Sequence, residues 1–181
     1  MAKYGVFESI NMKSTKGAER IYDAVATVDI ENGTFGYLDG LATGETVVYN
    51  FAKGTAEGKT VVVVDQPAWD YDTTYIANQR KDKFIIPAGT KFRVRVVAKG
   101  DDFGINDACV TEATKGDLAK GVYLTIDTTG KLVASATATA GAIFEATVMN
   151  LRKSGNTIVT TGAGTYGYTD TIYECAVTTL A

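Results

Sequence analysis

The stretch GKTVVVVDQP, residues 58–67, sets four valines in a row between a glycine turn and a proline. β-branched side chains are stiff at χ1 and fit a pleated strand better than a helix. A short continuous run of this kind, without polar alternation, predicts a strand buried on both faces.

The rest of the chain supports a β-rich fold. GETVVYNFAKG precedes the valine run as another strand opened by a turn. KFRVRVVAKG alternates Phe92, Val94 and Val96 with Lys91, Arg93 and Arg95, so one face meets a core and the other meets solvent or a partner. Val122–Ile126 and Lys131–Ala134 form a hairpin around Asp127–Gly130. Ile143–Leu151, NTIVTTG and DTIYECAVTTL supply further strands. Asn32–Gly33 predicts a tight hairpin joining Ala24–Ile30 to Phe35–Leu38. Both prolines, Pro67 and Pro87, fall at strand ends, where a missing N–H is harmless. AWDYDTTYIANQRKDK shows no alternation and reads as a long loop with a single helical turn.

Short strands separated by turn signals predict an all-β fold, an antiparallel sandwich or small barrel. Residues 1–20 read as an extended N-terminal arm with a short strand near Tyr4–Ile10. Residues 21–181 read as a single β-rich domain, with any subdivision near 100–115. The first seventeen residues hold no continuous apolar run and nothing reaches the length of a membrane span, so the chain is expected to be made in solution.

The chemistry available is narrow. Histidine is absent, which removes the commonest general base near neutral pH and the commonest metal ligand. Asp70 with Asp72, and Asp101 and Asp102 with Asp107, lack the spacing of a calcium loop and read as solvated loop carboxylates. TTGAGTYG at 160–167 has no lysine and opens no helix, so it reads as a turn rather than a phosphate loop. Cys109 and Cys175 sit among apolar or small residues and read as buried thiols, with a disulfide as the other arrangement. No catalytic, cofactor-binding or metal-binding residue is assigned, and an enzyme is not expected.

Charge is sorted along the chain: residues 1–20 sum to +2, 21–79 to −7, 80–99 to +6 and 100–181 to −4, for a net −3. Such sorting suits a charged partner, or internal neutralisation on folding. The basic run of Arg80, Lys81, Lys83, Lys91, Arg93, Arg95 and Lys99 would suit nucleic acid in a basic protein. The chain as a whole is acidic, with pI near 5.0, and a charged strand face that blocks edge pairing is explanation enough. Nucleic acid is therefore not expected as a partner, and neither is a membrane. Trp69, Tyr71 and Tyr75 cluster in the long loop and Tyr166, Tyr168 and Tyr173 near the C-terminus. Loop aromatics anchor binding surfaces for proteins or sugars, or else plug the ends of a sandwich.

ATVDIENGTFGYLDGL, DQPAWDYD, KFIIPAGTKFRVRVVAKGDDFGIND and KGDLAKGVYLTIDTTGKLVAS together resemble the small β-rich decoration, or cement, proteins of tailed-bacteriophage heads. The likeness runs through roughly residues 21–134 in phrasing and order. It implies a virion structural protein, made in the bacterial host cytoplasm and bound outside the capsid where major capsid subunits meet. It also implies attachment through an N-terminal arm, and a homotrimer on the shell. The candidate partner interface then comprises Lys3, Tyr4, Val6 and Phe7 of the arm, Trp69, Tyr71 and Tyr75 of the loop, and Arg80, Lys81 and Lys83. A carbohydrate- or receptor-binding virion module using the loop aromatics as a stacking platform is the other reading, alongside a tail-tube or head-completion protein.

Overall fold

The valine run forms β5 (Val61–Val64), and all four of its side chains are buried. Alternation sends Val62 and Val64 into one core and Val61 and Val63 into another. That division organises the molecule, a computed structural model of which describes residues 3–15, 21–68, 81–155, 159–161, 164–166 and 169–181.

The first core fills a closed barrel. β2 (Ile21–Val25), β3 (Phe35–Leu41), β4 (Val48–Lys53), β5 and β6 (Lys91–Val96) close in the order β2-β4-β3-β5-β6. Every pair is antiparallel except β2 with β4. Ala24, Phe51, Val62, Val64, Phe92 and Val94 point inward, with Ile30 and Ile86 bridged to each other across one end. Gly36 makes room for Phe51: a Cβ there would lie 2.2 Å from the Ala52 carbonyl oxygen and 2.5 Å from the Phe51 ring.

The second core lies between the barrel's β3–β5 side and a six-stranded sheet. β1 (Phe7–Asn11), β7 (Asp102–Ile105), β8 (Tyr123–Ile126), β9 (Leu132–Ser135), β10 (Phe144–Gly155) and β13 (Thr169–Leu180) run in the order β1-β7-β13-β10-β8-β9. All neighbours are antiparallel. β11 (Val159–Thr161) and β12 (Gly164–Tyr166) pair separately as a small hairpin. Phe35 of the barrel sits fully buried among sheet aromatics, 5.7 Å from the Phe103 ring and 5.2 Å from Phe144. Burying one such side chain contributes about 1.5–3 kcal/mol. The β8–β9 hairpin also docks by its backbone. Gly130 has φ +79° and its carbonyl accepts from Phe35 N–H at 2.8 Å, an approach a side chain would block.

The fold is all-β, as the alternation predicts, and combines a small barrel with a sheet. The Asn32–Gly33 hairpin does not form. β2 pairs with β4 and β6 instead of β3. A type I′ turn needs φ above zero at both central residues, and only Gly33 has it, at +74°. Asn32 is used elsewhere: its side chain donates to Gln66 O and accepts from Gln66 N–H, both at 2.8 Å. That exchange ties the turn to the end of β5.

The N-terminal segment is extended, as expected of an arm, but its described residues lie on the chain's own body. β1 pairs with β7, and Val6, Phe7 and Met12 are buried. The buried Asn106 side chain accepts from Val6 N–H at 3.0 Å and donates to Tyr4 O at 3.0 Å, while Asp101 accepts from Lys13 N–H at 2.9 Å. Apolar spacing with matched polar anchors makes this segment a sheet strand. The chain leaves the barrel at Val96 and enters the sheet at Asp102, so 100–115 belongs with the sheet.

Candidate functional site

Three of the expected interface residues that the structure describes come together, whereas Lys3, Tyr4 and Lys83 do not line the same cleft. Val6 and Phe7 from the N-terminal strand and Lys81 from the 3-10 turn at Lys81–Lys83 line one cleft of about 240 Å³, together with Asp65, Gln66 and Arg93. Tyr4 N–H donates to Asp82 O at 2.8 Å, which stitches the two segments together. Ala68 also lines this cleft. Trp69, Tyr71, Tyr75 and Arg80 lie outside the described residues, as do Asp70 and Asp72.

The expected residues play different parts. Val6 and Phe7 face inward, with the Phe7 ring stacked on Phe103 at 5.7 Å. Lys3 is exposed and bridges Asp107 and the buried Asp170, the latter at 2.8 Å. Burial works against its charge, yet the hydrogen bonds to Asp107 and Asp170 outweigh it and raise its pKa above the ordinary lysine value. Lys83 pairs with the buried Asp82 at 3.5 Å.

Most of the basic run that is described is paired internally, Lys99 being the exception. Arg93 and Arg95 share Asp65, Lys91 reaches Glu45 at 2.7 Å and Lys81 reaches Glu8 at 3.1 Å. These partners come from segments 1–20 and 21–79, the second of which carries the acidic excess. Part of the charge sorting along the sequence is thus met within the fold. Asp101 caps backbone N–H groups of Lys13 and Ala98, and Asp102 meets Asn11, so the acidic cluster at 101–107 also serves the N-terminal strand. Cys109 and Cys175 are free, buried thiols. Burial pushes Cys109 up to about 12 and Cys175 upward as well, so neither is a nucleophile at neutral pH.

Across the outer face of the sheet runs a ladder that the sequence does not announce. Lys81 holds Glu8 on β1, Glu8 holds Arg152 on β10, and Arg152 Nε donates to Glu174 on β13 at 2.8 Å. Asn150 completes it with a 3.1 Å bond to Glu174. The ladder passes over Gly104 of β7, where a Cβ would come 2.8 Å from Ile172 Cγ2. Burial opposes the Glu8 charge, but Lys81 and Arg152 overcome it and hold its pKa below the usual glutamate value.

Beside this ladder β10 offers an open edge. β8 pairs with β10 only at Ala146 and Thr147, extended by the Val148 backbone bonds to Gly121 and Val122. Beyond Val148, β13 is the only strand neighbour among the described residues. Met149 and Leu151 on this stretch are 53% and 41% exposed. In sequence MNLRK reads as ordinary alternation, and the register shift between Val148 and Asn150 has no sequence signature. Tyr173 packs at the margin of the sheet core, and the side chains of Tyr166 and Tyr168 lie outside those described.

No family model matches the sequence, and no curated protein or solved structure matches it either.

Proposed function

We propose that this chain is a structural protein of a bacteriophage virion that binds the outer surface of the capsid where major capsid subunits meet. Its role there is to stabilise the shell, as a homotrimer and without catalysis. The observation that carries the reading is the half-open edge of β10, with Met149 and Leu151 turned to solvent. An exposed strand edge bearing large apolar side chains is a ready place for another chain's strand. A binding protein of this kind contributes area and complementary shape rather than reactive groups, which fits a rigid two-core β body with its thiols buried.

This reading moves the point of attachment. The N-terminal segment is occupied by β7 of its own chain, so the contact falls to the β10 edge and the neighbouring ion ladder. The test uses shells stripped of the protein and adds back wild type or the double variant Met149→Lys, Leu151→Asp. Both positions are exposed, so the variant keeps its circular dichroism spectrum. Its affinity for shells should drop by roughly tenfold or more, as for loss of central interface anchors. Undiminished occupancy by the folded variant would remove this edge from the interface.

A further inference from the structure

We infer that the open end of the barrel is a binding cup for a single saccharide ring. At the end bridged by Ile30 and Ile86 the barrel is filled by its own side chains. At the other end Tyr22, Leu38, Tyr49, Val62 and Val96 stop short of closing it and enclose about 280 Å³. For scale, a cavity of about 150 Å³ holds benzene, so the cup takes one six-membered ring with its substituents.

The lining sorts by depth. Val62 is buried, Leu38 and Val96 are half-buried, and all three come from barrel strands. They form an apolar floor fixed by the strand ladder, so the cup is preformed. Tyr22 and Tyr49 make a wall, packed edge to face with ring centroids 5.5 Å apart and planes at 83°. Neither phenol hydroxyl has a hydrogen-bond partner among the described residues. The rim carries the exposed Lys59 and Thr60 from the β4–β5 connection, beside Gly58, which has nothing within 4 Å of where a Cβ would stand.

The charge on the rim selects the ligand class. Lys59, the one charged residue of the described lining, pairs with the neighbouring Asp39 at 3.3 Å with both side chains exposed, so its charge is offset at the mouth. An anionic or cationic ligand gains little there. A sugar ring matches all three layers: its C–H face lies on the aliphatic floor, and its hydroxyls both donate and accept. Those hydroxyls meet the free phenols, Thr60 and the Lys59–Asp39 pair. Preformed concave sites with a mostly apolar lining and a few converging polar groups are the usual form of ligand pockets, and barrel mouths are a common place for them. The expected saccharide surface, at Trp69, Tyr71 and Tyr75, lies elsewhere in the chain. The cup is also remote in sequence from the β10 edge, so it stands or falls independently of attachment to shells.

The test is a titration of methyl-labelled full-length protein, followed by NMR, with a panel of neutral hexoses, pentoses, N-acetylhexosamines and uronic acids. Benzoate and indole serve as ring-shaped controls without a sugar's hydroxyls. Saturable shifts confined to the Leu38, Val62 and Val96 methyls are expected with at least one neutral sugar. Thr60→Trp, which fills the mouth from an exposed position, should abolish them. Lys59→Ala, also exposed, should weaken binding several-fold and remains informative if the tryptophan variant folds poorly. No saturable shift at these methyls with any sugar overturns the inference. So does stronger binding of benzoate or indole than of every sugar, and so does a response that the folded Thr60→Trp variant retains.

Discussion

The barrel and the sheet solve the same problem from opposite directions. The barrel takes all five of its strands from residues 21–96 and closes on itself, whereas the sheet draws strands from both ends of the chain. β1 comes from the first dozen residues and β13 from the last, and they flank β7 as its two neighbours. The barrel is therefore local in sequence and has no open edge. The sheet depends on long-range closure and keeps an exposed edge on β10. Surface for a partner belongs to the second kind of construction, since closure removes the edges that another chain can pair with.

The largest effect that would sharpen this contrast comes from the N-terminus. Deleting residues 1–12 removes Val6, Phe7 and Met12 from the sheet core. At about 1.5–3 kcal/mol for each buried side chain, the loss should come to about 4.5–9 kcal/mol. Urea unfolding should show a strongly lowered midpoint; a midpoint equal to wild type would make this segment a free appendage after all.

Two glycines give the next comparison. Gly36→Ala inside the barrel drives a Cβ against a backbone carbonyl that cannot yield, whereas Gly104→Ala on the sheet meets the Ile172 side chain. Overpacking typically costs about 1–3 kcal/mol. The barrel variant is expected at or above the top of that range and the sheet variant within it, since the buried Ile172 side chain can shift only a little, read as separate shifts in melting temperature. Equal shifts would mean that the sheet is packed as rigidly as the barrel.

How far the sequence speaks differs between the same two regions. The valine run and the alternation of Phe92, Val94 and Val96 with their basic neighbours are local patterns, and the barrel strands they predict are present. The six-stranded sheet was legible as strands but not as an order. Nothing in FESIN marks it as the neighbour of β7, since that pairing depends on Asn106 and Asp101 about a hundred residues away. The Asn32–Gly33 turn misleads because its dipeptide favours a hairpin while its side chain is taken by Gln66. The candidate site shows the same limit. Lys81 was visible as a charge, but its Glu8 partner and the lane over Gly104 exist only once the strands are registered. The exposed edge at Met149 and Leu151 follows from where the β8 pairing stops, and no single residue encodes it.

The smallest effect concerns pH. The folded pKa of Glu8 lies below its unfolded value, so its contribution is fully present above the ordinary glutamate value of 4.5 and is lost as pH falls through the lowered folded value. Glu8→Gln should flatten that acid limb of the stability curve and leave the neutral region only slightly changed. An acid limb identical to wild type would mean that the ladder is too well screened by solvent to bear on stability.

The most direct test of the proposed role is the location of this chain on intact virions. Purification on a density gradient followed by electron cryomicroscopy should find it in fixed stoichiometry with the major capsid protein. Its density should recur on the outer surface where capsid subunits meet, with the β10 edge facing the shell. Virions that lack the chain, or density confined to the tail or the capsid interior, would contradict the proposal.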